Sequence, residues 1–151
     1  MTIERVRDLL DHVRGSHRAM ANWYDAVERI VVQSRSKMLI DYLRRQESSW
    51  EDAFRRFEDV AGSSVMETWF PYTPPDELLT RLRNVPEEEP DFDELLETAM
   101  LYNDELIDLL DRAAAMAPIP EVGEALENLA SMCRVQKKQL TFNVEQLLQD
   151  T

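Results

Sequence analysis

The chain has 151 residues and a net charge of −13, with 44% hydrophobic and 31% charged residues. This length fits one domain with a sizeable core, and the acidic excess disfavours nucleic acid and anionic membrane surfaces as partners. No apolar run approaches the length of about 18 residues that spans a bilayer. The polar start shows no signal peptide, and the single cysteine, Cys133, excludes an internal disulfide. A cytoplasmic protein is expected.

Apolar residues at three- and four-residue spacing predict two long helices in the first part of the chain. The first helix is expected over about 2–31. Its apolar stripe consists of Ile3, Val6, Leu9, Leu10, Val13, Met20, Trp23, Val27 and Ile30. The second is expected over about 35–61, with Ser34 or Ser36 as its cap and Gly62 as its stop.

Prolines interrupt the pattern between residues 63 and 90, because proline breaks helices. A short helix is predicted near 75–84, beginning at Pro75. The segment also carries a set of large apolar side chains: Met66, Trp69, Phe70 and Tyr72. These side chains either plug the side of the fold or form a self-association surface, since aromatic residues and Met are enriched at interface cores.

Two further helices are predicted over about 91–117 and 120–149. Asp91 and Glu94 have the spacing of a capping box, and Pro120 suits a first helical position. Short loops make neighbouring helices antiparallel, whereas residues 63–90 are long enough to cross the fold. The sequence therefore predicts one all-α domain over 1–151, a four-helix bundle with a long crossover between its second and third helices. A simple up-down bundle, with the middle segment as a cap, is the alternative.

Residues 19–24 (AMANWY) and 38–47 (MLIDYLRRQE) resemble the paired first helices of rubrerythrin-like proteins in the ferritin-like superfamily. The resemblance extends loosely over all four helices and implies a ferritin-like bundle. Members of this class hold two iron or manganese ions with a carboxylate from each of two helices and a Glu-x-x-His motif from each of the others. The three-residue step places both ligands of that motif on one helix face.

Carried onto this chain, the resemblance predicts a metal site that has lost its ligands. Glu47 takes the glutamate position of the second helix, but Trp50 stands where its histidine belongs, and Cys133 and Gln136 take the corresponding pair on the fourth helix. The first-helix glutamate position falls near His17. The third-helix candidates are Tyr102, Asp104 and Glu105. No metal is expected, and His17, Glu47 and Asp104 are the remaining potential ligands.

Plain structural interpretations stand beside this one. His17 is a surface or boundary histidine, and Glu47 faces solvent beside Arg44 and Glu51. Trp50 fills the volume that a metal centre would have occupied, and its indole N–H then needs an acceptor. Cys133 is a small buried apolar side chain, since no histidine lies near it in sequence to activate a thiolate.

The leading hypothesis is a non-catalytic, cofactor-free bundle with a binding or structural role, working as a homodimer. A second hypothesis is a metal-binding or redox protein of the rubrerythrin type, with one iron or manganese ion held by His17, Glu47 and Asp104. A third is a helical adaptor that binds an amphipathic helix in an apolar groove. Convergence of the three potential ligands would favour the second hypothesis, and a large exposed apolar patch would favour the third.

Overall fold

Four long helices account for most of the chain in the computed structural model, which describes residues 2–149 except for the side chain of Leu147. The elements in chain order are β1 (Ile3–Arg5), α1 (Val6–Glu28), α2 (Ser34–Val60), α3 (Ser63–Met66), β2 (Trp69–Tyr72), α4 (Glu77–Arg83), α5 (Phe92–Met116) and α6 (Pro120–Gln149). The coarse prediction of a mainly helical protein is confirmed. Residues 1, 150 and 151 of the predicted domain lie outside the described residues.

The first helix is shorter than the predicted 2–31, because Ile3 belongs to a strand instead. Strand β1 pairs antiparallel with β2, with Ile3 opposite Tyr72. The helix begins after Arg5, whose backbone N–H donates to the Asp8 side chain (3.1 Å). The apolar periodicity does not reveal this strand. Ile3 fits the buried stripe of a helix as well as it fits a buried strand position, and its strand partner lies far along the chain.

The middle segment contains more regular structure than the proline pattern predicts. Helix α3 and strand β2 precede α4, which begins at Glu77 rather than at Pro75. Phe70 is buried in the core, whereas the side chain of Trp69 is 59% exposed. The plug interpretation therefore holds for Phe70, and Trp69 remains on the surface.

Ion pairs define the two helical hairpins. Arg44 near the start of α2 contacts Glu28 at the end of α1 (2.5 Å), while Arg14 in the first half of α1 contacts Glu58 at the end of α2. Helices α1 and α2 are therefore antiparallel. Asp91 caps helix α5, and its side chain accepts the backbone N–H of Glu94 (2.8 Å), which is one half of the predicted capping box.

The second hairpin consists of α5 and α6. Asp104 in the middle of α5 contacts Lys137 (2.5 Å), and Asp111, further along α5, contacts Arg134, which comes earlier in α6. Residues later in α5 therefore contact residues earlier in α6, so these two helices are also antiparallel. Their residues, with those of α1 and α2, contribute to one hydrophobic core.

Helices α2 and α5 begin at the same end of the molecule. The backbone N–H groups of Val32 and Gln33, just before α2, both donate to Oε1 of Glu89, just before α5 (3.0 Å each). Residues 61–91 therefore return from the end of α2 to its beginning, and α2 and α5 run in the same direction. A simple up-down arrangement would make these two helices antiparallel, so this alternative is wrong.

Candidate functional site

Glu47 is a buried carboxylate on the inner face of α2. It lies in the series Leu43, Glu47, Trp50 and Phe54, whose three- and four-residue steps place all four side chains toward the core. Glu47 is 8% exposed, so the interpretation in which it faces solvent is wrong. An unpaired carboxylate would be costly at this depth, and the surrounding groups must therefore satisfy it.

His17 provides the principal partner of Glu47. Its Nδ1 lies 2.5 Å from Oε2 of Glu47, and its Nε2 lies 3.5 Å from Oε2 of the exposed Glu51. The histidine sits at the edge of the α1 stripe, about one quarter of its side chain being exposed. His17 is thus a boundary residue, and the structure brings it together with Glu47.

The environment shifts the pKa values of both members of this pair upward. The hydrogen bond to Glu47 raises the pKa of His17 against the opposing effect of burial. Burial raises the pKa of Glu47, although the hydrogen bond from His17 partly offsets this increase. The imidazolium form of His17 is therefore favoured, with Nδ1–H donating to the carboxylate.

Tyr102 of α5 completes the environment of Glu47. Its buried hydroxyl lies close enough to Glu47 to lower the pKa of that carboxyl, and burial raises the pKa of Tyr102 well above its ordinary value. The phenol therefore stays neutral and remains a donor. The Tyr102 ring stacks on Trp50 with centroids 5.2 Å apart. Trp50 is 2% exposed, which confirms that it fills the core.

The other two candidates on α5, the third long helix, do not reach Glu47. Asp104 is exposed and bound to Lys137, so the structure does not assemble His17, Glu47 and Asp104 into one site. Glu105 lines a separate small cavity. Tyr102 is the third-helix residue that reaches Glu47, and the helical positions alone could not select it among the three.

On α6, the fourth long helix, the two predicted ligand positions hold side chains without evident reactivity. Cys133 is fully buried, as predicted, and burial raises the pKa of its thiol to about 12, which leaves it protonated and poorly nucleophilic. The backbone carbonyl of Gln136 accepts a hydrogen bond from Gln46 (3.0 Å). The side-chain Oε1 of Gln136 is buried without a hydrogen-bond partner in the part of the chain that the structure describes.

These residues do not fit a dinuclear metal centre. Such a centre needs about four carboxylates and two imidazoles, whereas the corresponding places here hold one buried carboxylate, one imidazole, an indole, a phenol, a thiol and an amide. Within residues 2–149, no group of three or more His, Cys, Asp or Glu side chains is arranged to hold a metal ion. The donor set present therefore supports no step through iron or manganese.

A cleft between α1 and α2 opens beside Glu47, His17 and Tyr102. This α1/α2 cleft has a volume of about 320 Å³, and its apolar lining consists of Val13, Trp50, Phe54 and Tyr102. His17 also lines it. The cleft could not be predicted from the sequence, because its apolar floor comes from three different helices that only packing brings together.

An apolar groove lies at the other side of α2, against the beginning of α6. Its volume is about 530 Å³, and its lining includes Phe57, Val60, Ile119 and Val122. Val60 is 85% exposed. The adaptor hypothesis would place its partner helix in a groove of this apolar kind.

Glu105 faces a small cavity of about 20 Å³, shared with His12, Ser16 and Tyr72, which has room for about one water molecule. Burial raises the pKa of Glu105 to about 7 and lowers that of His12. The pKa of Glu105 is higher in the folded state than in the unfolded state. The stabilisation that the folded protein gains from protonated Glu105 is therefore fully present below about pH 4.5. It is lost as the pH rises through about 7.

We therefore expect Glu105→Gln to reduce the loss of stability between pH 5 and pH 8. The amide cannot ionise, so the folded variant avoids burying a charge at the higher pH. Urea unfolding midpoints at the two pH values measure the effect. Glu124→Gln, at an exposed position of α6, is the matched control and should leave the difference between the midpoints unchanged. An identical pH dependence in wild type and Glu105→Gln would contradict the assignment.

None of the helices within residues 2–149 combines the length and apolar character needed to cross a membrane. No protein-family model, curated protein or solved structure matches this chain.

Proposed function

We propose that this chain is a ferritin-like bundle in which protein side chains replace the dinuclear metal centre. Helices α1 and α2 are antiparallel, α2 and α5 run in the same direction, and α5 and α6 are antiparallel. This order, with one long crossover after the second long helix, is the one expected for ferritin-like folds. The resemblance of the α1 and α2 sequences to rubrerythrin-like proteins supports the same assignment.

The role that we propose is non-catalytic binding, by a homodimer in the cytoplasm. The observation that supports its metal-free character is the 2.5 Å contact between His17 and Glu47. In a metal-binding relative this carboxylate would be a ligand, whereas here an imidazole satisfies it and the Tyr102 hydroxyl lies close enough to lower its pKa. A carboxylate neutralised by protein groups has no need of a cation at the centre.

The metal-binding or redox alternative receives less support from the geometry. Its proposed ligands His17 and Glu47 are together, but Asp104 is bound to Lys137 on the surface. The thiol of Cys133, held protonated by burial, is also unsuited to bind a metal as thiolate. An iron or manganese cofactor is therefore not part of the proposal.

Metal analysis of protein purified without chelator tests this proposal directly. We expect far less than one iron or manganese ion per chain, both in wild type and in Glu47→Gln. Two tightly bound ions per chain, lost in Glu47→Gln, would overturn the assignment. Sedimentation equilibrium of the same preparation should give the mass of two chains, and a monomer at all concentrations would remove the homodimer from the proposal.

A further inference from the structure

The α1/α2 cleft has the dimensions and lining of a small-molecule site. Its volume of about 320 Å³ falls within the range of ligand pockets, roughly 300–1,000 Å³. Val13, Phe54 and Tyr102 provide an apolar floor, and the half-buried His17 adds a polar group. A ligand with an apolar body and few polar atoms matches this lining.

The charges around the cleft favour an anion. Three arginines and two glutamates surround it. Arg14 pairs with Glu58, and Arg55 lies 3.6 Å from Glu51. Arg18 makes no ion pair with any residue in the described part of the chain. The cleft therefore presents one uncompensated guanidinium in a protein whose net charge is −13, which makes it a local attraction for negative charge.

The Trp50 indole adds to the apolar lining of the cleft. It lines the cleft, and its indole Nε1 is buried without an acceptor among the described residues. An unpaired buried N–H is destabilising. Because this nitrogen is closed to solvent, a molecule bound in the cleft gains apolar contact with the indole and not a hydrogen bond from Nε1.

We propose that the α1/α2 cleft binds a small monocarboxylate with an aromatic or branched hydrocarbon body. The carboxylate pairs with Arg18, since guanidinium and carboxylate match in shape and charge. The apolar body covers Val13, Phe54 and Tyr102. A dianionic phosphate is disfavoured, because its second charge would meet Glu51 and Glu58 with no further unpaired arginine in the cleft. This inference names a ligand class for the binding role and so rests on the proposed function.

Titration calorimetry with phenylbutyrate, phenylbutanol and phenylbutylammonium tests the proposal. The three probes share an apolar body and differ in charge. We expect phenylbutyrate to bind most tightly and Arg18→Glu to weaken its binding by about tenfold, equivalent to about 1.4 kcal/mol. Arg29→Glu, the same charge change at an exposed position near the end of α1, should alter binding less than about twofold if only the local charge matters.

Three results would overturn the proposal: no binding of phenylbutyrate at millimolar concentration, equal affinity for all three probes, or equal losses in the two variants. Both substitutions change exposed side chains, and thermal melts verify that each variant is folded. Metal content is a separate measurement, so the failure of this proposal and the failure of the metal-free assignment are distinguishable. Bound metal would contradict only the latter, and absent binding only the former.

Discussion

Trp50→Ala is expected to lower the free energy of unfolding by about 3–5 kcal/mol. The side chain is 2% exposed and stacks on Tyr102 with ring centroids 5.2 Å apart. Truncation removes the buried indole surface and leaves a cavity that the neighbouring helices can fill only in part. The measurement is urea unfolding followed by far-ultraviolet circular dichroism, which does not depend on tryptophan fluorescence.

Trp69→Ala is the matched control for this experiment. It removes the same side chain from a position that is 59% exposed, so the expected loss is about 1 kcal/mol or less. Equal losses for the two variants would show that Trp50 does not fill the centre of the fold. That result would also undermine the placement of Trp50 at a former ligand position.

His17→Ala is expected to lower the free energy of unfolding by about 2–3 kcal/mol at pH 7. Removing one member of a fully buried ion pair costs about 3–5 kcal/mol, and the quarter exposure of His17 reduces this effect. Without the imidazole, the pKa of Glu47 should rise further. The folded variant then gains by holding a proton, so its deficit should shrink as the pH falls below 7. As the pH rises through the raised pKa of His17, wild type itself loses the stabilisation linked to the imidazolium, so the deficit should not grow further there.

Two further variants distinguish the effect of the His17–Glu47 ion pair from the effect of its neighbours. Glu51→Ala should cost less than about 1 kcal/mol, because Glu51 is exposed and its carboxylate is 3.5 Å from His17. The double variant His17→Leu with Glu47→Met should recover most of the stability lost in His17→Ala, since apolar replacement of a buried pair is often neutral. A double variant as unstable as His17→Ala would show that the uncompensated charge is not the cause.

Much of the candidate site follows from helical spacing, but the contacts between side chains of different helices do not. The steps from Leu43 through Glu47 to Trp50 place all three side chains on one face of α2, so the burial of Glu47 can be anticipated. Which groups would satisfy its carboxylate could not be anticipated. His17 comes from α1 and Tyr102 from α5, and their meeting depends on the axial register of separate helices.

The unpredicted strand pair has the same origin. Ile3 continues the apolar stripe of α1, and its local pattern indicates helix. It pairs instead with Tyr72, a contact that spans almost half of the chain. Local propensity is a weak guide where a long-range partner decides the conformation.

The amino-acid sequence alone determined the four long helices, because their apolar periodicity and the prolines between them are local signals. It also predicted that indole, thiol and amide side chains stand where a ferritin-like metal centre would need ligands. Only the tertiary structure decided that His17 neutralises Glu47, that Asp104 turns to the surface, and that an arginine-edged cleft opens between α1 and α2. Those outcomes depend on how whole helices are aligned against one another, which the spacing within any single helix does not specify.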